Sequence, residues 1–148
     1  MTTTWTPRDP DFHQRVTDSF DRQQVMKLLN ARIRTLLPGQ CCIEVPFRTD
    51  LGQQNGFFHA GITSTIADSA GGYAGYSLMP PNSNVLTVEF KVTLLRPAKG
   101  ELLIANGEVI RAGKNLVFSE VEAYIQNRGQ EPRLCARMTQ TLATIIEE

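Results

Sequence analysis

The stretch Ala60-Gly-Ile-Thr-Ser-Thr-Ile-Ala-Asp-Ser-Ala-Gly-Gly-Tyr-Ala-Gly-Tyr-Ser-Leu-Met79 decides the fold. Ile62, Ile66, Ala70, Tyr73/Ala74 and Leu78 recur at helical spacing, which puts them on one stripe of an α-helix over residues 60–79. Gly71, Gly72 and Gly75 lie inside that helix. Each costs about 1 kcal/mol relative to alanine, so a helix that carries all of them gains something from close backbone approach. The reading is a central helix wrapped by a sheet, with a copy of itself as a second neighbour. No charge occurs from Ser69 to Val88, but Pro80-Pro81, Asn82, Asn84 and the glycines interrupt the segment and exclude a membrane span.

Downstream the period changes to two. Val88, Phe90, Val92 and Leu94 alternate with Glu89, Lys91 and Thr93, which predicts a strand. Pro97-Ala-Lys-Gly100 turns the chain, and Leu102 to Arg111, Leu116 to Ile125 and Leu134 to Ile146 read as further strands. In the second of these, the phase Val117, Ser119, Val121, Ala123, Ile125 is small or apolar throughout. Short turns at 112–115 and 127–132 predict an antiparallel meander. Upstream, Cys41, Ile43, Val45 and Phe47 alternate with Cys42, Glu44, Pro46 and Arg48, a strand with one buried face, placed near an edge by Pro46. Arg48 to Phe58 reads as a loop. Phe12, Val16 and Phe20 mark a first helix; Val25, Leu29, Ile33 and Leu36/Leu37 mark a second, stopped by Pro38-Gly39. The expectation is a single α+β domain over 1–148: an N-terminal helical extension (1–38), then a core (39–148) of one strand, a buried helix and four long strands curling around it.

Composition bounds the function. The chain has 148 residues, 41% hydrophobic and 20% charged, which suits one globular domain with its own core. Lys+Arg and Asp+Glu are both 15, so there is no basic surplus for nucleic acid or for an anionic membrane surface. Met1-Thr-Thr-Thr-Trp-Thr-Pro-Arg8 has no apolar run after a basic start, so no signal peptide is expected. Three cysteines (Cys41, Cys42, Cys135) and two histidines have no metal-ligand spacing. Neither a metal site nor a disulfide framework is expected, and a cytoplasmic location is the default.

The chemistry-bearing stretch is Gln53-Gln-Asn-Gly-Phe-Phe-His59-Ala60-Gly61, running into Asp68. It resembles the hotdog-fold acyl-CoA thioesterases of the phenylacetate-pathway (PaaI-like) type, over roughly Gly39 to the C-terminus. In that family a polar amide precedes a His-Gly-Gly helix start by six residues and a carboxylate follows the histidine by nine; Gln53, His59 and Asp68 have those spacings. Thr87 stands ten residues before the Pro of Arg96-Pro97-Ala98, where the family often carries a hydroxyl. The resemblance implies a hotdog fold, a long central helix wrapped by a curved antiparallel sheet. It also implies hydrolysis of acyl-CoA thioesters without a cofactor, and a tetramer built as a dimer of dimers. The catalytic set it implies is Asp68, Gln53, His59, Ala60, Gly61 and Thr87, with Asn55, Tyr73, Arg96 and Lys114 as substrate contacts. One departure is Ala60, where the family has glycine. Alanine still supplies the backbone N–H if its backbone is helical, whereas a positive φ would exclude it.

These residue types suit the chemistry. A thioester carbonyl gains negative charge on oxygen as it is attacked, and the first N–H groups of a helix have no internal acceptor. A helix starting at Ala60 is thus an oxyanion hole, worth about 3–4 kcal/mol of barrier. Asp68 serves as general base for a water or as nucleophile; the residues leave both open. Gln53 orients water or thioester, and Thr87 holds the Asp68 carboxylate or the water. Tyr73 lies at acyl-pocket or core spacing, and Lys99, Arg111 and Lys114 are turn cations available to CoA phosphates. Ala60 and Asp68 are about 12 Å apart along one helix axis, too far to serve one carbonyl carbon. If both act in one site they come from two chains, so the chemistry predicts a homodimer with two composite sites. The alternatives are a non-catalytic acyl-CoA-binding domain and a hotdog dehydratase or hydratase.

Overall fold

The computed structural model describes residues 3–148; Met1 and Thr2, where the reading of the N-terminus begins, lie outside them. Two helices, α1 (Phe12–Arg22) and α2 (Gln24–Leu28), lead into strands β1 (Arg32–Leu37) and β2 (Gln40–Pro46). A 3-10 turn (Thr49–Leu51) and a loop then reach the long helix α3 (Ala60–Tyr76). Strands β3 (Ser83–Leu94), β4 (Leu102–Ala112), β5 (Leu116–Gln126) and β6 (Arg133–Ile146) follow. All strand pairs are antiparallel, in one six-stranded sheet of order β1-β2-β4-β5-β6-β3. The sheet wraps α3, whose residues from Ser69 to Tyr76 are all buried.

The glycines explain how close the two layers lie. A Cβ at Gly107 of β4 would stand 2.4 Å from the Ala70 carbonyl oxygen and 2.7 Å from the Gly71 nitrogen, so sheet and helix meet backbone to backbone. A Cβ at Gly75 would meet Leu142 Cδ1 at 2.4 Å, and one at Gly71 would meet Gln140 Oε1 at 2.1 Å. Gly72 is buried, yet a Cβ there would meet nothing within 4 Å, because it lines a cleft shared with Ser19, Arg22 and Gln23. Of the glycines at 71, 72 and 75, two therefore serve the sheet and the third leaves room in that cleft.

Four sequence expectations are corrected. The apolar run Val25–Leu37 is not one helix: α2 ends at Leu28, Asn30 takes a left-handed φ of 56°, and residues 32–37 form β1. Ile33 and Leu36 fit a helical stripe, but pairing with β2 supplies those residues with ladder hydrogen bonds. Pro38-Gly39 consequently turns a hairpin, with Gly39 at φ 76° and packed against Trp5. Second, β2 is internal, between β1 and β4, and Cys41 through Val45 are all buried. Pro46 is tolerated because it is the last residue of the strand. Third, β3 does not join the meander; β4, β5 and β6 do, and β3 crosses to pair with β6 at the far edge. Fourth, α3 ends at Tyr76, and 77–79 form the turn beyond it.

The N-terminal segment is anchored on α3. Arg15 donates to the carbonyls of Tyr76 (3.2 Å) and Met79 (2.8 Å), pairs with Asp9 at 2.7 Å and stacks over the Tyr76 ring. The free carbonyls at the α3 C-terminus are thus satisfied by a cation, as the helix dipole favours. Val16 and Phe20 bury the opposite stripe of α1, and Phe20 meets Tyr73 edge to face at 6.0 Å.

Gly107→Ala is expected to lose about 1–3 kcal/mol and lower Tm by about 4 °C or more, because the methyl group faces helix backbone that has nowhere to go. Gly75→Ala should cost less, since its obstacle is a leucine tip. Thermal denaturation followed by circular dichroism checks the order; equal melting of Gly107→Ala and wild type would contradict the contact.

Candidate active site

The site residues fall into two separate clefts of the one chain. The first, of about 660 Å³, is lined by Gln53, Phe57, His59, Ala60, Leu94, Arg96 and neighbouring residues. The second, of about 300 Å³, is lined by Asp68, Tyr73, Thr87, Asn84, Ser69, the α1 residues Ser19 and Arg22, and Gln23 just after α1.

In the first cleft, the loop after the 3-10 turn closes through a bridge between Gly52 and Phe58, and Gln53 N donates to Phe57 O at 2.8 Å. The Gln53 side-chain oxygen accepts from Asn55 N. His59 is the N-cap of α3, and its Nδ1 accepts from Gly61 N at 2.8 Å, which leaves Nε2 to carry the ring proton toward solvent. Ala60 is the first helical residue and has no positive φ, so the alanine is accommodated there. Gly61 N–H is occupied by the cap, and the N–H groups of Ile62 and Thr63 go to the His59 carbonyl. Among the described residues Ala60 N–H alone of these four has no acceptor, and it stands where the helix dipole is positive. Arg96 is exposed on the cleft wall.

In the second cleft, Thr87 Oγ1 donates to Asp68 Oδ1 at 2.7 Å, so of the two roles expected for Thr87 the structure shows the carboxylate contact. A bulge between Thr87 and Glu89 shifts the register of β3, which puts Thr87 on the concave face together with Phe90, Val92 and Leu94. Gln140, buried at the middle of β6, donates from Nε2 to Asp68 Oδ1 at 2.5 Å and to the Asp68 carbonyl at 3.1 Å. Tyr73 is buried, and its hydroxyl lies 3.2 Å from Ser19 Oγ and 3.4 Å from Gln23 Oε1. Burial pushes that hydroxyl above its usual pKa, so it stays a protonated donor.

Asn55 is exposed at its loop tip and Lys114 in the β4–β5 turn; neither lines a cleft. Sequence reasoning missed Gln140, Ser119 and the α1 residues. Gln140 had a signal: it is polar within the buried phase Ala136, Met138, Gln140, Leu142 of the last strand. The α1 residues had none, because only the packing of α1 on α3 brings them to Asp68. Among the described residues no group of three or more His, Cys, Asp or Glu is placed to hold a metal, and no helix is long and apolar enough to cross a membrane.

Comparison with known proteins identifies the class to which this curved antiparallel sheet around one buried helix belongs. The family model of the thioesterase superfamily matches residues 55–131. The chain therefore belongs to the thioesterase superfamily, has the hotdog fold, and falls in the general class of thioester hydrolases. A thioesterase family protein from Silicibacter pomeroyi superposes with a TM-score of 0.89 at 50% identity, covering 91% of this chain and 98% of that one. An inferred esterase of Halobacterium salinarum is 32% identical over 106 residues, 68% of this chain and 70% of the relative. The E. coli PaaI protein of the phenylacetic acid degradation operon shares the fold, with a TM-score of 0.80 at 19% identity over 91% of this chain and 94% of its own.

Cys135 lines the first cleft, but burial pushes its thiol up to about 11 and that of Cys41 up to about 12. Both are protonated, unreactive thiols at neutral pH. Iodoacetamide at about pH 8 should therefore leave both unmodified and the activity unchanged. Mass spectrometry of the treated, folded protein checks this; alkylation of Cys135 with parallel loss of activity would reassign the nucleophile.

Proposed function

We propose that the protein hydrolyses acyl-CoA thioesters to the free acid and CoA, in composite sites formed by two copies of the chain. The observation that carries this reading is the separation just described: the free Ala60 N–H opens into one cleft and the Asp68 carboxylate into another. Eight residues of helix put them about 12 Å apart, beyond the reach of one carbonyl group. An antiparallel pairing of two α3 helices brings the start of one beside the middle of the other. The surface supports such a pairing. β3 is an edge strand with its outer ladder unpaired, and its concave face leaves Phe90 43% and Leu94 54% exposed. An edge of that length and apolarity is a template for pairing with another chain. A dimer of such dimers and a cytoplasmic location are the further expectations; buried free thiols suit a reducing compartment.

In this reading the thioester carbonyl oxygen accepts from Ala60 N–H of one chain, with Gln53 and His59 beside it. Asp68 of the other chain takes a proton from water as the water oxygen attacks the carbonyl carbon, or attacks the carbon itself. The tetrahedral intermediate collapses, the C–S bond breaks, and the CoA thiolate leaves, taking the proton that Asp68 drew from water; on the nucleophilic route water then hydrolyses the acyl-Asp68 anhydride, releasing the acid and the free carboxylate and supplying the proton. Arg96, exposed at the first cleft, is the residue this reading assigns to the CoA portion.

Asp68→Asn should lower kcat by about a hundredfold or more with KM nearly unchanged, the scale for loss of a general base. CoA release from an acyl-CoA panel, read with a thiol reagent, measures it. Wild-type turnover would remove Asp68 from the chemistry, and no CoA release from either protein would return the chain to the acyl-CoA-binding reading.

Hybrid dimers test the shared site. Gln53→Ala and Asp68→Asn, each nearly inactive alone, are mixed unfolded and refolded together. About half of the dimers are then hybrids with one intact site of two, so about a quarter of wild-type activity should return. If the two residues served one chain's own site, every site would carry a defect and nothing would return. Mixing without unfolding is the control.

A further inference from the structure

The Asp68 carboxylate is held by more than the threonine hydroxyl, and the extra contact runs into the core. Gln140 is 3% exposed, on β6 directly opposite Ser119 of β5, itself buried. Ser119 Oγ lies 2.8 Å from Gln140 Oε1 and donates to it. That contact sets which way the amide faces: with Oε1 occupied by a hydroxyl donor, the NH2 group must point at Asp68. There it meets two acceptors, Oδ1 at 2.5 Å and the backbone carbonyl at 3.1 Å. The carbonyl belongs to the helix, the carboxylate to the side chain, so one amide ties both to the sheet. Gly71 is what admits it, since a Cβ there would stand 2.1 Å from Gln140 Oε1 and 2.8 Å from Ser119 Oγ.

We infer that Gln140, oriented by Ser119, is a positioning residue for hydrolysis: together with Thr87 it saturates Asp68 Oδ1 and presents Oδ2 as the oxygen that meets the water or the carbonyl carbon. This rests on the proposed role of Asp68. An Asp side chain has one χ1 and a nearly two-fold χ2, and without a fixed partner its two oxygens exchange. Two donors on one oxygen remove that exchange, and the other oxygen keeps its lone pairs for chemistry. The burial of Gln140 and Ser119 keeps water from competing for the same contacts, which strengthens both hydrogen bonds.

The charged and titratable groups around this pair are few. α1 offers Arg22 and α3 offers Tyr73 to the same cleft, while β5 and β6 contribute only the uncharged Ser119 and Gln140. Glu89 of β3 accepts from Thr141, one position along from Gln140 and so on the opposite face of the sheet. In the proposed dimer His59 of the second copy joins them.

Three variants are assayed on purified, folded protein. Gln140→Met keeps the volume and removes the donor; kcat should fall about tenfold to a hundredfold with KM within about twofold, the cost of a misplaced group. Gln140→Glu keeps the acceptor for Ser119 but sets a second carboxylate against Asp68. Its kcat should be low at neutral pH and recover as pH falls far enough for the pair to hold one proton, relative to wild type measured in parallel. Ser119→Ala, the mildest change, frees the amide to turn and should lower kcat about threefold to tenfold. A folded Gln140→Met with wild-type kcat overturns the proposal. So does a loss that appears equally in kcat/KM and Tm with no low-pH recovery in Gln140→Glu, which is what a merely structural glutamine would show. If Gln140→Met does not fold, Ser119→Ala decides, and unchanged kcat there overturns it. Full activity in Asp68→Asn would sink the underlying reading instead, whatever Gln140 does.

Discussion

At Gly107 the sheet and the central helix touch through their backbones, with the Ala70 carbonyl where a β-carbon would be. A helix normally stands about 10 Å from a sheet on a layer of side chains. Here part of that layer is missing, and the helix sinks into the concave sheet. Everything functional follows from that depth. Asp68, on the turn before the contact, comes within hydrogen-bond range of β3 and β6 instead of pointing over them, and Gln140 reaches the helix backbone itself. The glycines cost helix propensity, and the intimate packing they allow offsets it.

In the proposed reaction the same helix would serve both halves of the chemistry by different means. Its N-terminus supplies a backbone donor whose position is set by the His59 cap: the imidazole takes Gly61 N–H and leaves Ala60 N–H free. Its middle supplies a carboxylate whose orientation is set by the sheet. Because helix rise is constant, the two functions proposed for it would meet only through a second helix alongside. The unpaired β3 edge and its exposed apolar concave face are the surface counterpart of that need.

The N-terminal segment adds a third element. Arg15 docks α1 on the carbonyls at the end of α3, and Phe20 packs on Tyr73, so Ser19, Arg22 and Gln23 come to lie over the carboxylate cleft. That wall is largely polar, which sets the chemistry an acyl group entering beside Asp68 would meet. The anchoring contacts and the cleft-lining residues lie on or just after one short helix, so the roof is positioned by a half-buried cation and an aromatic pair and not by the sheet.

Much of the fold was legible in the residues. Period-two alternation found the later strands, the glycine-bearing apolar stripe found the buried helix, and the spacing from Gln53 to His59 to Asp68 found the residues that line the clefts. The first two are local signals, written by side-chain period; the last was legible only through the resemblance to the thioesterase family. What the chain order could not carry was pairing. Ile33 and Leu36 suit a helical stripe as well as a strand, and only β2 beside them chose the strand; Pro46 read as an edge marker because nothing local says that β1 will cover β2. The crossing of β3 to β6 placed Thr87 next to Gln140, residues 53 positions apart, and made a glutamine on the last strand part of the carboxylate's surroundings. The sequence by itself determined which residues are apolar, capped or acidic and at what interval. The tertiary structure alone decided which of them meet, because contacts between distant segments depend on register and layer depth, and those are set by packing the whole chain at once.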